Sequence, residues 1–150
     1  MRAVIQRVSQ ASVIIDERKT ASINGGLLVF LGIEIEDINE DARWLAKKIS
    51  SLRIFSDEQG KMNRSVTEVD CEAIVVSQFT LHAKTKKGNR PSYIKSAKPE
   101  QAIPLYEQFK EALSIAIEKE VQSGEFGADM KVSLTNNGPV TIIIDSKNKE

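Results

Sequence analysis

Two uninterrupted apolar runs constrain this chain most: Leu27-Leu28-Val29-Phe30-Leu31-Gly32-Ile33 and Ala73-Ile74-Val75-Val76. A run without polar alternation offers no face to water, so each reads as a central, buried strand. Around them lie weaker strand signals. Residues 2–9 and 11–15 form two apolar stretches, with a reversal expected at Asp16-Glu17-Arg18-Lys19. Arg53-Ile54-Phe55 reads as a short strand closed by the turn cluster Ser56-Asp57-Glu58-Gln59-Gly60, and residues 61–71 read as irregular. Lys131–Thr135 and Val140–Ile144 read as a last strand pair. Apolar spacings of three and four mark two helices. One carries Ala42, Leu45, Ala46, Ile49 and Leu52, with Asp37 or Asn39 as its cap. The other carries Ala102, Tyr106, Phe109, Leu113, Ile117 and Val121 and is expected to run to about residue 122. Pro99 suits a first helical turn, whereas Pro104 implies a kink or a late start. The expected class is α/β: mixed, largely antiparallel sheet layers with two helices packed on one side.

Composition narrows the functional classes. With 150 residues, one domain over 1–145 and a polar, frayed tail over 146–150 are expected. Lys plus Arg and Asp plus Glu stand at 21 each, so no global field draws in a polyanion and any nucleic-acid contact must be local. No stretch approaches the roughly 18–20 apolar residues that cross a bilayer. Met1-Arg2-Ala3-Val4-Ile5 enters a strand pattern at once, which points to a cytoplasmic chain without a signal peptide. A single cysteine, Cys71, and a single histidine, His82, leave neither an internal disulfide nor a Cys/His zinc site. Phosphate-loop, dinucleotide and zinc-protease signatures are missing, so a cofactor-free site is expected.

Four features carry chemistry. Ser77-Gln78-Phe79-Thr80 ends the second apolar run with hydroxyls and an amide. It reads either as a polar cap on a sheet or as a site whose N–H groups hold an oxyanion, with Thr80 orienting or attacking. Thr80 and His82 would share a face only if the chain stayed extended, and no aspartate neighbours His82 to complete a triad. Gly138-Pro139, within Asn136-Asn137-Gly138-Pro139-Val140-Thr141, reads most simply as a β-turn. The sharper alternative is a cis bond whose flanking carbonyls accept from an ammonium group. Residues 84–98 contain Lys84, Lys86, Lys87, Arg90, Lys95 and Lys98 and no acid, either a solvated loop or a local phosphate-binding footprint to which Tyr93 adds stacking. Arg7 is either an edge arginine facing water or a fork pinning a carbonyl near the site.

With these segments laid out, the chain resembles the D-aminoacyl-tRNA deacylases from Met1-Arg2-Ala3-Val4-Ile5-Gln6-Arg7-Val8 to about Ile144. The resemblance rests on Ser77–Leu81 and Asn136–Thr141, with Gly88-Asn89-Arg90-Pro91-Ser92-Tyr93 and Phe126-Gly127-Ala128-Asp129-Met130 as further blocks. It implies a metal-free homodimer that hydrolyses the ester of D-aminoacyl-tRNA, and of glycyl-tRNA mischarged on the alanine adaptor. It implies a cis Gly138-Pro139 that reaches into the partner's pocket, holds the α-amino group and occupies the volume an L side chain needs. Ser77, Gln78, Phe79 and Thr80 would form the catalytic segment, and Asn136 and Arg7 would support chiral selection. Lys84, Lys86, Lys87 and Arg90 would meet the tRNA. Two rivals remain open on sequence alone: an RNA-binding module without hydrolysis, and a hydrolase of small D-amino-acid esters.

Overall fold

The computed structural model describes residues 1–150, and the strand on which the others assemble is β1 (Arg2–Ile15). It pairs antiparallel with β2 (Arg18–Ile23) through Ala11–Ile15, with β3 (Gly26–Gly32) through Arg2–Val8, and with β8 (Lys131–Asp145) along most of its length. β6 (Glu72–Ser77) lies parallel to β3, and the short β7 (Gln122–Ser123) lies parallel to β6. A separate antiparallel ribbon joins β4 (Phe55–Ser56) to β5 (Met62–Arg64). The sheet is therefore mixed and largely antiparallel, and its middle is formed by the two apolar runs.

Strand alternation sorts those runs onto two cores. Leu27, Val29, Leu31, Ala73 and Val75 join Met1, Ala3 and Ile5 beneath α1 (Asn39–Ser50) and α2 (Pro99–Ile117). Their neighbours Leu28, Ile74 and Val76 turn the other way, to Val8, Ala11, Val13, Ile15, Ala21 and Ile23. Both helices pack on the first side, as expected. α1 contributes Leu45 and Ile49, and α2 contributes Phe109 and Leu113, all fully buried. Each such side chain stabilises the fold by about 1.5–3 kcal/mol. Tyr106 is buried among them, and its hydroxyl donates to the Val75 carbonyl at 2.9 Å, so its polar atom is satisfied.

Several local expectations change. Residues 2–15 form one strand, reversed at Asp16 and Glu17 with φ of 47° and 63°, the left-handed pair of a tight hairpin. The polar segments 18–23 and 62–64 are strands, recruited by partners rather than by their own pattern. Asp37 and Asn39 do not cap α1. Ile38 precedes the helix, and the Asp41 carboxylate accepts its N–H at 2.9 Å. Asp37 instead accepts from the Glu34 N–H at 2.7 Å and pairs, buried, with the Met1 amine. α2 starts at Pro99 and continues through Pro104, so no late start occurs. Its last residue is Ile117, five short of the expected end, and Glu118 follows in the left-handed conformation. The tail is docked rather than frayed. The Ser146 N–H donates to the Met1 carbonyl at 2.8 Å, Lys147 pairs with Asp41 at 2.7 Å, and Lys149 sits 4.4 Å above the Trp44 ring.

The largest correction concerns residues 131–145. They do not reverse at Gly138-Pro139 but form one long strand against β1. Gln6 opposes Thr141 and Val8 opposes Asn136, so five residue steps on β8 face two on β1. The surplus is a bulge that lifts Asn137, Gly138 and Pro139 out of the ladder, all three exposed.

Candidate active site

At the end of β6 the chain tightens into a single 3₁₀ turn, Phe79–His82. Gly32, at the end of β3, makes room for it. A Cβ there would stand 2.9 Å from the Leu81 Cβ and 3.0 Å from the Gln78 carbonyl oxygen. Four successive backbone carbonyls here, from Gln78 to Leu81, are engaged. Gln78 accepts from the Leu81 N–H at 3.2 Å, and Thr80 accepts from the Ala83 N–H at 3.1 Å. Phe79 accepts from the Ser96 hydroxyl at 2.9 Å, and Leu81 accepts from Arg2 at 2.8 Å. The leading N–H groups, of Phe79 and Thr80, have no partner inside such a turn. Gln78 is tied on both sides: its N–H donates to the Leu31 carbonyl at 2.8 Å, and its side-chain amide donates to the Thr80 hydroxyl at 2.6 Å.

This geometry settles the Thr80–His82 alternative. In a 3₁₀ turn residues two apart point in different directions. His82 is buried, its Nε2 has no protein partner, and the Thr80 hydroxyl is engaged with Gln78.

The turn borders a cleft of about 510 Å³ whose walls are mostly apolar. Ser77, Gln78 and Phe79 line it, whereas Thr80 does not. Tyr93 stands edge-on to Phe79 at 4.9 Å between ring centroids, and both rings are substantially exposed at the rim. Phe126, Ala128 and Met130 line it as well, with Asp129 as the one charged group. Ser96 and Asp129 were not singled out by sequence reasoning. The signal for Asp129 was its place in the 126–130 block, and for Ser96 there was none, since its role is a contact across the fold. Nowhere do three His, Cys, Asp or Glu side chains gather as metal ligands.

Gly138 and Pro139 do not line this cleft. Their peptide bond is cis, with Gly138 at φ 129°. Arg7 holds the bulge from below: its Nε–H donates to the Asn137 carbonyl at 3.1 Å, while an Nη1–H donates to the Ile54 carbonyl. The Asn136 amide donates at 3.0 Å to both the Arg7 and the Val140 carbonyls, stapling the two ends of the bulge. A side chain on Gly138 would meet Arg7 Nη2 at 2.8 Å and Val140 Cγ2 at 2.9 Å. Within one chain the structure thus joins Arg7 and Asn136 to Gly138-Pro139, and Ser77–Phe79 to the cleft, but leaves the two groups apart.

The basic segment is a hairpin. Lys84 and Ser92 exchange backbone hydrogen bonds at 2.8 and 3.0 Å, and Gly88 turns the tip at φ 67°. Lys84, Lys86, Lys87 and Arg90 are exposed and form no ion pair with any carboxylate of the chain. The residues that follow the hairpin, Tyr93 and Ser96, belong to the cleft, so this positive surface flanks its mouth.

Comparison with known proteins decides the family. The family model for D-Tyr-tRNA(Tyr) deacylase matches residues 4–145. The chain belongs to that family. Membership makes it a hydrolase. It is 63% identical over its full 150 residues to the D-aminoacyl-tRNA deacylase of Bacteroides fragilis strain YCH46, and 62% identical to that of Flavobacterium johnsoniae, with 100% of both chains covered in each case. Among solved structures it superposes on the c-Myc DNA Unwinding Element Binding Protein with a TM-score of 0.90 at 40% identity, covering 97% of this chain and 98% of that one. A probable eukaryotic D-amino acid tRNA deacylase shares the fold, with a TM-score of 0.81 at 16% identity and coverage of 95% and 97%. The α/β class and the family expected from Ser77–Leu81 and Asn136–Thr141 both hold. No helix of this family member is long and apolar enough to cross a membrane.

Proposed function

We propose that the chain is a D-aminoacyl-tRNA deacylase, acting in the cytoplasm as a homodimer on the ester between a D-amino acid and the terminal ribose. The observation that carries this reading is the turn after β6: the carbonyls of Gln78, Phe79, Thr80 and Leu81 are engaged, while the leading N–H groups, of Phe79 and Thr80, have no partner within a turn whose first residue lines the cleft. Water adds to the ester carbonyl carbon, and the oxygen that gains charge takes those N–H groups. The bond to the ribose oxygen then breaks, and the ribose oxygen leaves with a proton. Preorganised donors of this kind are worth on the order of 10²–10³ in rate each. The ribose 2′-OH helps activate the water, and Thr80 positions neighbouring groups rather than attacking.

Chirality is read by a second copy. Gly138-Pro139 projects from the surface and misses its own cleft, a placement that suits insertion into a partner's cleft. There its carbonyls hold the substrate α-amino group, and its bulk takes the space of an L side chain. The D side chain points outward, so selectivity among D-amino acids is broad. Glycine has no side chain to exclude, so glycyl-tRNA mischarged on the alanine adaptor is also hydrolysed. The exposed hairpin of Lys84, Lys86, Lys87 and Arg90 meets phosphates at the acceptor end.

The variant Pro139→Ala tests the filter. It is expected to keep its thermal stability, because Pro139 is exposed, while D-ester hydrolysis or L-ester rejection falls at least about tenfold, near the 1–3 kcal/mol of a steric discrimination. Unchanged rates on D- and L-Tyr-tRNA would remove Gly138-Pro139 from the account. Binding of tRNA without any turnover by the unaltered chain would favour an RNA-binding module instead.

A further inference from the structure

We propose that Arg2 is a positioning residue for ester cleavage, holding the Phe79–His82 turn in register through the Leu81 carbonyl. The proposal rests on the reading of that turn as the place where the oxyanion is held. Arg2 lies on β1, away from the cleft, and its guanidinium divides its donors between two partners. One edge, Nε and Nη2, donates to Asp145 Oδ2 at 3.0 and 2.8 Å. The remaining Nη1 reaches the Leu81 carbonyl at 2.8 Å.

Asp145 is itself fixed, because its other oxygen accepts the Lys147 N–H at 2.9 Å. Its side chain is 13% exposed, and that of Arg2 is 39% exposed. Burial alone would raise the Asp145 pKa, but the Lys147 N–H and Arg2 outweigh it and hold the carboxyl below its ordinary value. The guanidinium is therefore paired across the ordinary pH range.

What this does for the turn follows from its other restraints. Gln78 and Phe79 are tied at its start, to Leu31 and Ser96. Thr80 closes locally on Ala83. Leu81 is the only turn residue whose carbonyl is bound by a charged side chain from another element. A cation at the last carbonyls of a helical turn complements their partial negative charge and sets their direction. Release of the Leu81 carbonyl would loosen the end of the turn that closes on Gln78 through the Leu81 N–H, and with it the direction of the Phe79 and Thr80 N–H groups. Lysine cannot replace this arrangement fully, since one ammonium lacks the planar fork that serves both partners.

The test compares the unaltered chain with Arg2→Met and Arg2→Lys on D-Tyr-tRNA, together with backbone amide resonances of Phe79 and Thr80. Arg2→Met is expected to lower kcat about tenfold, as for partial loss of an oriented donor, with KM changed by less than about twofold. Its Phe79 and Thr80 resonances are expected to move, and Arg2→Lys should restore part of kcat, all measured well below the Tm of each variant. Unmoved resonances would overturn the role of Arg2 alone. Moved resonances with unchanged kcat would overturn both that role and the reading of the turn as the oxyanion site. A loss confined to Tm would mark Arg2 as a fold contact and overturn the proposal.

Discussion

At the residue scale, the proposed chemistry draws less on reactive side chains than on which backbone groups are left free. Thr80 illustrates the point. Its hydroxyl accepts from Gln78, no base stands beside it, and it does not line the cleft. Thr80→Val is therefore expected to cost roughly ten- to a hundredfold in kcat, through loosening of Gln78 and the turn. Removing a true nucleophile costs on the order of a millionfold. Single-turnover kinetics separate the two, and a trapped acyl-enzyme on Thr80 would contradict a positioning role. The amino-acid sequence exposed the residue types in this segment but not their geometry. An extended chain and a 3₁₀ turn are both compatible with Ser77-Gln78-Phe79-Thr80, and the choice is made by Gly32 and Ser96, distant in sequence. Arg7 shows the same limit. Its fork was a visible candidate, but its partners at Asn137 and Ile54 are fixed by tertiary contact alone.

At the scale of elements, the apolar runs were legible because burial on both faces leaves an unmistakable pattern, and β3 and β6 fall within one or two residues of expectation. β2 was not, because Arg18-Lys19-Thr20-Ala21-Ser22-Ile23 is mostly polar and takes its strand form from pairing with Ala11–Ile15. The division of β8 into two strands failed for a related reason. Gly and Pro signal a turn locally, yet β1 continues past the bulge and keeps both halves in one ladder. The basic hairpin was legible as charge and not as a β-bridge. Its proposed contact with tRNA is separable from the cleft. The triple variant Lys86→Ala, Lys87→Ala, Arg90→Ala is expected to weaken tRNA binding and to flatten its salt dependence by up to about three in log–log slope, roughly one per lost phosphate contact. Turnover of a D-amino-acid ester of adenosine alone should be unchanged. Equal loss on both substrates would place these residues in the cleft machinery instead.

At the scale of the whole molecule, the two termini are bound together, and through Asp145 and Arg2 the end of β8 is bound to the turn beside the cleft. Lys147 pairs with Asp41, whose pKa burial would raise but which hydrogen bonds from Lys147 and the Ile38 N–H hold below its ordinary 3.8. A depressed carboxyl stabilises the folded state fully above its unfolded pKa and loses that contribution as pH falls through the folded one. Lys147→Ala is accordingly expected to be less stable by at most about 1 kcal/mol at neutral pH, since the pair is partly exposed. The difference from the unaltered chain should shrink as pH drops below about 3.8. Denaturation midpoints at pH 7 and pH 3 would show it, and a gap that persisted in acid would assign the effect to packing. Hydrolysis of the D-ester with rejection of its L counterpart is the central claim of the proposed function. Its most direct test is release of amino acid from matched D-Tyr-tRNA and L-Tyr-tRNA in the presence of excess EDTA. Rapid hydrolysis of the D-ester with the L-ester intact is the expected result; equal hydrolysis of both, or of neither, would contradict a chiral deacylase.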